Sequence, residues 1–276
     1  MSLSTAEYTR FRAGKSKEIE RLELQANSFS DVFKKQIQLL NIKSGSKVLD
    51  AGCGTGSFAR NVAPIVAPER VTAVDIDPVF IEEAKKLSAK DGRTNIAFQV
   101  GNVESLDFLQ NEIYDAVYCR LVIPHVSDPV RAISELKRVA KKGGIIASSD
   151  EGDLFTYPPI GRFFGLFEKV AQWRKATQNH VEANRQTAFE LFESVGISEV
   201  RIFPIPNFAS NSESREKLRD LAATPIQILD MYKDDVISKG FMSESEYNEG
   251  VLELKSWLER PDSFWMALSI FTIGKA

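Results

Sequence analysis

Residues 48–59 read VLDAGCGTGSFA, and their reading decides the fold. Residues 47–51 are an apolar run short enough to be a buried strand. Three glycines follow at alternate positions, Gly52, Gly54 and Gly56, and then Thr55, Ser57 and Phe58 open a helix. Strand, tight turn and helix succeed one another without a gap. Glycine lets the backbone turn at positive φ and lets a ligand come where a Cβ would stand. The place is the carboxyl end of a strand, where open α/β sheets bind their ligands. The spacing excludes one familiar ligand: a dinucleotide fingerprint runs G-x-G-x-x-G, whereas here the pattern is G-x-G-x-G, with Asp50 two residues before the first glycine.

Residues 71–76, VTAVDI, supply a second strand ending on Asp75, at the distance where Rossmann-like units carry a ribose-binding acid. Together, D-x-G-x-G-x-G after an apolar strand and the acid ending the next strand resemble the class I S-adenosylmethionine (SAM) dependent methyltransferases. The resemblance implies an α/β fold: a Rossmann-like seven-stranded sheet with helices on both faces, N-terminal helices and a helical cap. It also implies SAM as cofactor. Asp50, Gly52, Gly54 and Gly56 then belong to the loop around its methionine and ribose, and Asp75 with Ile76 to the ribose. A strand over residues 96–100 ends at Gly101-Asn102-Val103, where the family has an acid or amide facing the adenine amino group. Asn102 and the Val103 N–H are the matching groups, since an amide oxygen also accepts a hydrogen bond.

Residues 113–119 form the fourth strand, followed by Arg120 to Pro129, RLVIPHVSDP. This segment resembles its counterpart in the quinone and small-molecule branch, and Arg120 joins the expected cofactor set. No Asn/Asp-Pro-Pro-aromatic motif follows the strand. That motif would mark amino methylation of nucleobases or amides, and Pro158-Pro159 after Tyr157 stands in a different place. A helix over 128–141 leads to the fifth strand, 143–149, whose end carries Asp150, Glu151 and Asp153. Three carboxylates so close suit a divalent metal for catechol-type chemistry, a polar substrate group, or solvent; hard-metal sites usually draw on more than one segment, and no metal is expected.

Composition narrows the class. Across 276 residues the net charge is −3 with Lys and Arg dispersed, so no basic footprint points to nucleic acid. Cys53 and Cys119, the only cysteines, give neither a disulfide framework nor ligand spacing and read as free thiols in a reducing compartment. No apolar run reaches membrane-spanning length, and the N-terminus lacks a signal peptide's core. A soluble cytoplasmic enzyme, able to form a homodimer, is the expectation.

Residues 1–44 carry helical apolar spacing from 16 to 40 and are expected to cover the cofactor, with Tyr8 and Gln25 as candidate contacts to its methionine end. The SAM-binding core is 45–204 with 264–276. It is interrupted by an insertion, 154–184, and by a cap, 205–263, expected as two or three helices over 213–222, 226–238 and 244–259. Aromatics of the first insertion, Phe155, Tyr157, Phe163, Phe164, Phe167 and Trp173, are core or pocket residues. If about two of them reach the pocket, the acceptor is an apolar or aromatic small molecule.

Methyl transfer from a sulfonium is an in-line displacement, so holding the three atoms in line can supply much of the rate, about 7–11 kcal/mol. A base helps where the acceptor loses a proton. Histidine is the side chain whose ordinary pKa lies near neutrality, which makes His125 and His180 the first candidates, and Glu151 and Tyr8 come next. Two other readings stay open: a SAM-binding protein without methyl transfer, acting as regulator or rearrangement catalyst, and a quinone-pathway C-methyltransferase.

Overall fold

The computed structural model describes residues 15–177 and 187–276. Two helices come first, α1 (Lys15–Ser28) and α2 (Ser30–Leu40). Then β1 (Val48–Ala51), α3 (Ser57–Val66), β2 (Val71–Asp75), α4 (Pro78–Lys90) and β3 (Ile96–Val100) alternate. β4 (Tyr114–Arg120), a 3₁₀ turn at Ile123–His125, α5 (Pro129–Val139) and β5 (Ala140–Tyr157) follow. The remainder is α6 (Gly161–Thr177), α7 (Ala188–Ser194), β6 (Ser198–Ser210), α8 (Arg215–Ser238), α9 (Glu244–Leu258) and β7 (Phe264–Lys275).

The strands make one seven-stranded sheet in the order β3-β2-β1-β4-β5-β7-β6. β1 to β5 run parallel, and β7 is antiparallel to both β5 and β6. Parallel strands buried on both faces read as continuous apolar runs, which is why VLDA is buried at all four positions. The order reverses beside β1, between β2 and β4, so the loop after β1 opens at the crevice of an α/β sheet. Two helix starts follow directly from sequence. Asp77 caps α4 by accepting the Val79 N–H at 2.9 Å, and Asp128 caps α5 by accepting that of Arg131 at 3.0 Å, each with proline at the first helical position.

Three expectations need correction. The fifth strand does not stop near 149; it runs to Tyr157, because β7 continues to pair with it from Leu154 through Tyr157 after a bulge. The stretch 154–157, read as the start of an insertion, is therefore strand. β6 likewise extends to Ser210, past the boundary at 204 expected between core and cap, paired with β7. The helices expected at 213–222 and 226–238 are one, α8, with Pro225 inside it. An interior proline costs about 3 kcal/mol, and burying Leu218, Leu221, Ala222 and Leu229 along one stripe offsets that.

Helices α6, α8 and α9 build a core of their own on the long ends of β5, β7 and β6, around Phe163, Leu166, Trp257 and Trp265. Phe29, at the joint between α1 and α2, packs against this core and also against the one beneath the central sheet.

Candidate active site

The turn after β1 is folded by its own backbone. The N–H groups of Gly52 and Cys53 both donate to the Val74 carbonyl, at 2.7 and 2.9 Å, and Gly56 N–H donates to the Cys53 carbonyl at 2.8 Å. All three glycines hold positive φ, 75°, 53° and 77°. A Cβ at Gly56 would lie 2.8 Å from Phe98 Cε1, whereas at Gly54 it would meet only Leu22 Cδ1 of α1, at 3.8 Å. Gly54 thus faces a slot between loop and helix, and Gly56 faces packed protein.

Two carboxylates floor the slot. Asp75 is 9 % exposed; one oxygen accepts the Gly54 N–H at 2.8 Å and the other the Asp77 N–H at 2.9 Å. Asp50 is 2 % exposed and accepts the Ala59 N–H at 3.2 Å. Burial raises its pKa to about 7; the Ala59 hydrogen bond and the charge of Arg120 oppose this and the charge of Asp75 adds to it. A cationic ligand bearing hydroxyl donors suits such a floor: the hydroxyls have acceptors, and positive charge offsets the carboxylate burial.

α1 roofs the slot. Glu23 pairs with Arg60 of α3 at 2.6 Å, and Arg60 reaches Asp91 at 3.0 Å and the Thr55 carbonyl at 2.5 Å. At the end of β4, Arg120 lies over the rings of Phe29 and Phe33, 4.9 and 5.1 Å from their centroids. Burial pulls its pKa below the ordinary value, and Tyr118, Glu151 and Asp50 oppose that while Arg21 reinforces it.

Beneath Arg120 is a polar cluster that the sequence reading missed. Gln36 of α2 has no exposed surface; its amide nitrogen donates to Ser149 Oγ at 2.8 Å and Ser269 Oγ at 3.2 Å, and its oxygen accepts from Tyr118 OH at 2.9 Å. Burial raises the Tyr118 pKa, so the phenol stays protonated and donates. The available signal was Gln36 itself, a polar residue in the buried stripe Val32, Phe33, Leu40 of an amphipathic helix.

The remaining candidates fall in different places. Gln25 is buried on α1, its amide oxygen 3.5 Å from an Arg21 nitrogen. Ile76 is half-buried after β2. Asn102 accepts the Glu104 N–H at 2.9 Å and donates to the Glu104 carboxylate at 3.3 Å, while the Val103 side chain packs in the core. Glu151 shares the face of β5 that carries Ser149 and is exposed beside Arg120. His125 is exposed on the 3₁₀ turn. Tyr8 and His180 lie outside the described residues. The acidic trio does not converge: Ser148 donates to Asp150 at 2.8 Å on the opposite face from Glu151, and among the described residues no group of three His, Cys, Asp or Glu side chains is arranged to hold a metal ion. Of the insertion's aromatics, Phe163 and Trp173 are core, Phe164 and Phe167 are half-buried beside it, and Phe155 and Tyr157 are exposed.

A doubly wound sheet, a glycine turn at its switch point and an acid ending the next strand define a protein that binds a nucleoside-bearing ligand. Comparison with known proteins gives the family. Residues 42–199 match the family described as a methyltransferase domain, and the chain belongs to it: it is a class I SAM-dependent methyltransferase. It is 28 % identical over 244 residues to the probable methyltransferase ltbC of Aspergillus luteorubrus, covering 82 % of this chain and 84 % of that protein. It is 26 % identical over 183 residues to the demethylmenaquinone methyltransferase of Listeria monocytogenes, covering 61 % and 76 %. The crystal structure of YcgJ from Bacillus subtilis shares the fold at TM-score 0.54 and 21 % identity, covering 88 % of this chain and 97 % of that one. No described helix is long and apolar enough to cross a membrane.

Proposed function

We propose that this enzyme methylates an apolar or aromatic small molecule, at oxygen, carbon or nitrogen, in the cytoplasm. When bound, SAM supplies an electrophilic methyl on a sulfonium. The chain's own groups do the rest. The loop at Gly54 and the carboxylates of Asp75 and Asp50 hold the nucleoside and offset the positive charge, and α1 excludes water through the Leu22 contact and the Glu23–Arg60 pair.

The observation that carries the acceptor class is Phe29, which packs against both the cofactor-side core and the cap core. The aromatic pair beside Arg120, Phe33 and Phe29, thus adjoins through Phe29 the cap core that half-buried Phe164 and Phe167 also flank. Largely apolar walls with a few polar groups are what small-molecule sites present. The similarity to a protein named demethylmenaquinone methyltransferase supports the same class. Glu151, beside Arg120 on the open side of β5, is the group we assign to take the acceptor's proton where one is lost. The two unpaired thiols, Cys53 and Cys119, support a reducing compartment.

The test is formation of S-adenosylhomocysteine by purified protein with SAM and a panel of phenols, reduced quinones and amines, with product mass read for one added methyl. Turnover of a phenol or quinol supports the proposal. Turnover confined to charged, polar acceptors refutes it, and SAM binding without turnover of any panel member favours a non-transferring role.

A further inference from the structure

Arg120 carries donors that no described residue uses. It ends β4, and the strand order sets it between β1, whose turn borders the cofactor slot, and β5, which carries Glu151. In the parallel register Arg120 stands opposite Ser149, and a period of two puts Ser149 and Glu151 on one face of β5. It is the face on which Tyr118 and Ser149 meet Gln36 of α2. Arg120 and Glu151 therefore project from neighbouring strands on the same side of the sheet.

The guanidinium is seated but not bonded. It lies over the rings of Phe29 and Phe33, and a guanidinium on aromatic faces keeps its N–H groups in their own plane, as an open fork. The polar groups around it leave that fork free. The Tyr118 hydroxyl donates to Gln36, Asp50 accepts from Ala59, and Arg21 of α1 is held by both oxygens of Glu18, at 2.8 Å each. Tyr118, Glu151, Arg21 and Asp50 act on Arg120 through charge alone, and its side chain has no hydrogen bond to any described residue. Burial lowers its pKa, yet the side chain is only half-buried, the combination expected at the floor of a cleft. A desolvated cation with uncommitted donors is matched by an anionic oxygen.

We propose that Arg120 is the oxyanion site for the methyl acceptor, which makes that acceptor an acidic hydroxyl compound, a phenol or an enol, and not an amine. The proposal rests on the methyltransferase reading with Glu151 as base. The acceptor's O–H proton passes to the Glu151 carboxylate, and the oxygen anion left behind is held by the Arg120 N–H groups. A lone pair of that oxygen forms the new O–C bond as the carbon–sulfur bond breaks and its electron pair stays on sulfur; Glu151 then gives its proton to water. An oxygen anion has lone pairs enough to accept from Arg120 and still attack. An amine nitrogen has a single one, and a guanidinium bound to it would occupy the pair that must react. Position favours the acceptor over the cofactor's own carboxylate: the cofactor slot lies at Gly54, between Leu22 and Asp75, whereas Arg120 sits at Phe29, which packs against the cap core.

The test reads binding without turnover. Para-nitrophenol and a hydroxynaphthoquinone change colour on ionising, so their pH titration on protein saturated with S-adenosylhomocysteine reports the pKa of the bound probe. Wild type is compared with R120Q, and with R120M as a second neutral variant that keeps an apolar stem over the phenylalanines; circular dichroism monitors the fold. The bound probe should ionise about 1–3 pH units lower on wild type than on either variant, with S-adenosylhomocysteine affinity kept. Neither probe bound by wild type, or a bound pKa equal on all three proteins, overturns the proposal. So does a folded variant that binds S-adenosylhomocysteine about tenfold or more weakly, which would give the guanidinium to the cofactor's carboxylate. In each of these cases turnover of phenols or amines leaves the small-molecule assignment standing, whereas turnover confined to charged, polar acceptors removes both readings.

Discussion

Substituting Gly54 and Gly56 one at a time by alanine separates what the glycine turn does for the ligand from what it does for the fold. Both sit at positive φ, where a Cβ costs about 1–2 kcal/mol; loss of unfolded-state entropy returns part of that. At Gly54 the added methyl finds only Leu22 Cδ1 at 3.8 Å, so the net cost is about 1 kcal/mol. At Gly56 it would stand 2.8 Å from Phe98 Cε1 and 3.2 Å from Ala84 Cβ, and overpacking of this kind adds about 1–3 kcal/mol. A chain of 276 residues unfolds with an entropy of about 0.6 kcal/mol/K near its midpoint, so each kcal/mol moves Tm by ~2 °C. Gly54→Ala should therefore lower Tm by about 2 °C and Gly56→Ala by about 4–8 °C. For SAM the ranking reverses. The Gly54 methyl projects into the slot beneath α1, and its variant should bind SAM at least tenfold more weakly, a loss of about 1.4 kcal/mol or more; Gly56→Ala should keep most of its affinity at temperatures where it is folded. Calorimetric scans and SAM titrations on both proteins make the comparison. Gly54→Ala with unchanged affinity, or with the larger fall in Tm, would refute the assignment of Gly54 to the ligand side.

Asp50, with its pKa raised to about 7, is protonated in the folded free protein between about pH 4 and 7 and ionised in the unfolded chain. Its contribution to stability is thus present below the ordinary carboxylate range and is lost as pH rises through about 7, a slope that Asp50→Asn should remove. A cationic ligand favours the ionised form, so SAM binding near pH 6.5 should release a proton; identical heats in buffers of different ionisation enthalpy would contradict this. Glu151→Gln should lower kcat by about a hundred- to ten-thousandfold for an acceptor that loses a proton while leaving SAM affinity intact, and a joint loss of both would assign Glu151 to the cofactor. Gln36→Leu strands the Tyr118 hydroxyl and the Ser149–Ser269 pair, and should cost about 1–3 kcal/mol in denaturant melts. A variant as stable as wild type would mean the cluster carries no net stability.

The sequence by itself determined the central fold and the cofactor. Both are written in contiguous segments: the strand-turn-helix at Val48–Ala59, the acid at Asp75 ending the next strand, and Asp-Pro starts at Asp77 and Asp128. Backbone conformation and hydrogen bonds to near neighbours fix such features, so residue type and spacing suffice. The outer half was decided only by the tertiary structure. Leu154–Tyr157 looked like an insertion because its continuation of β5 depends on pairing with Phe264–Ala267, more than a hundred residues on. Pro225 looked like a break because only packing against the cap core keeps α8 whole. Gln36, Ser149 and Ser269 carry no motif, and they meet because α2 crosses β5 and β7 where those strands bring their hydroxyls together. Phe155 and Phe164, equally aromatic on paper, went to opposite faces of the sheet. A one-residue difference in strand register would turn Phe155 to the cap face, and register is set by long-range pairing that local sequence does not encode.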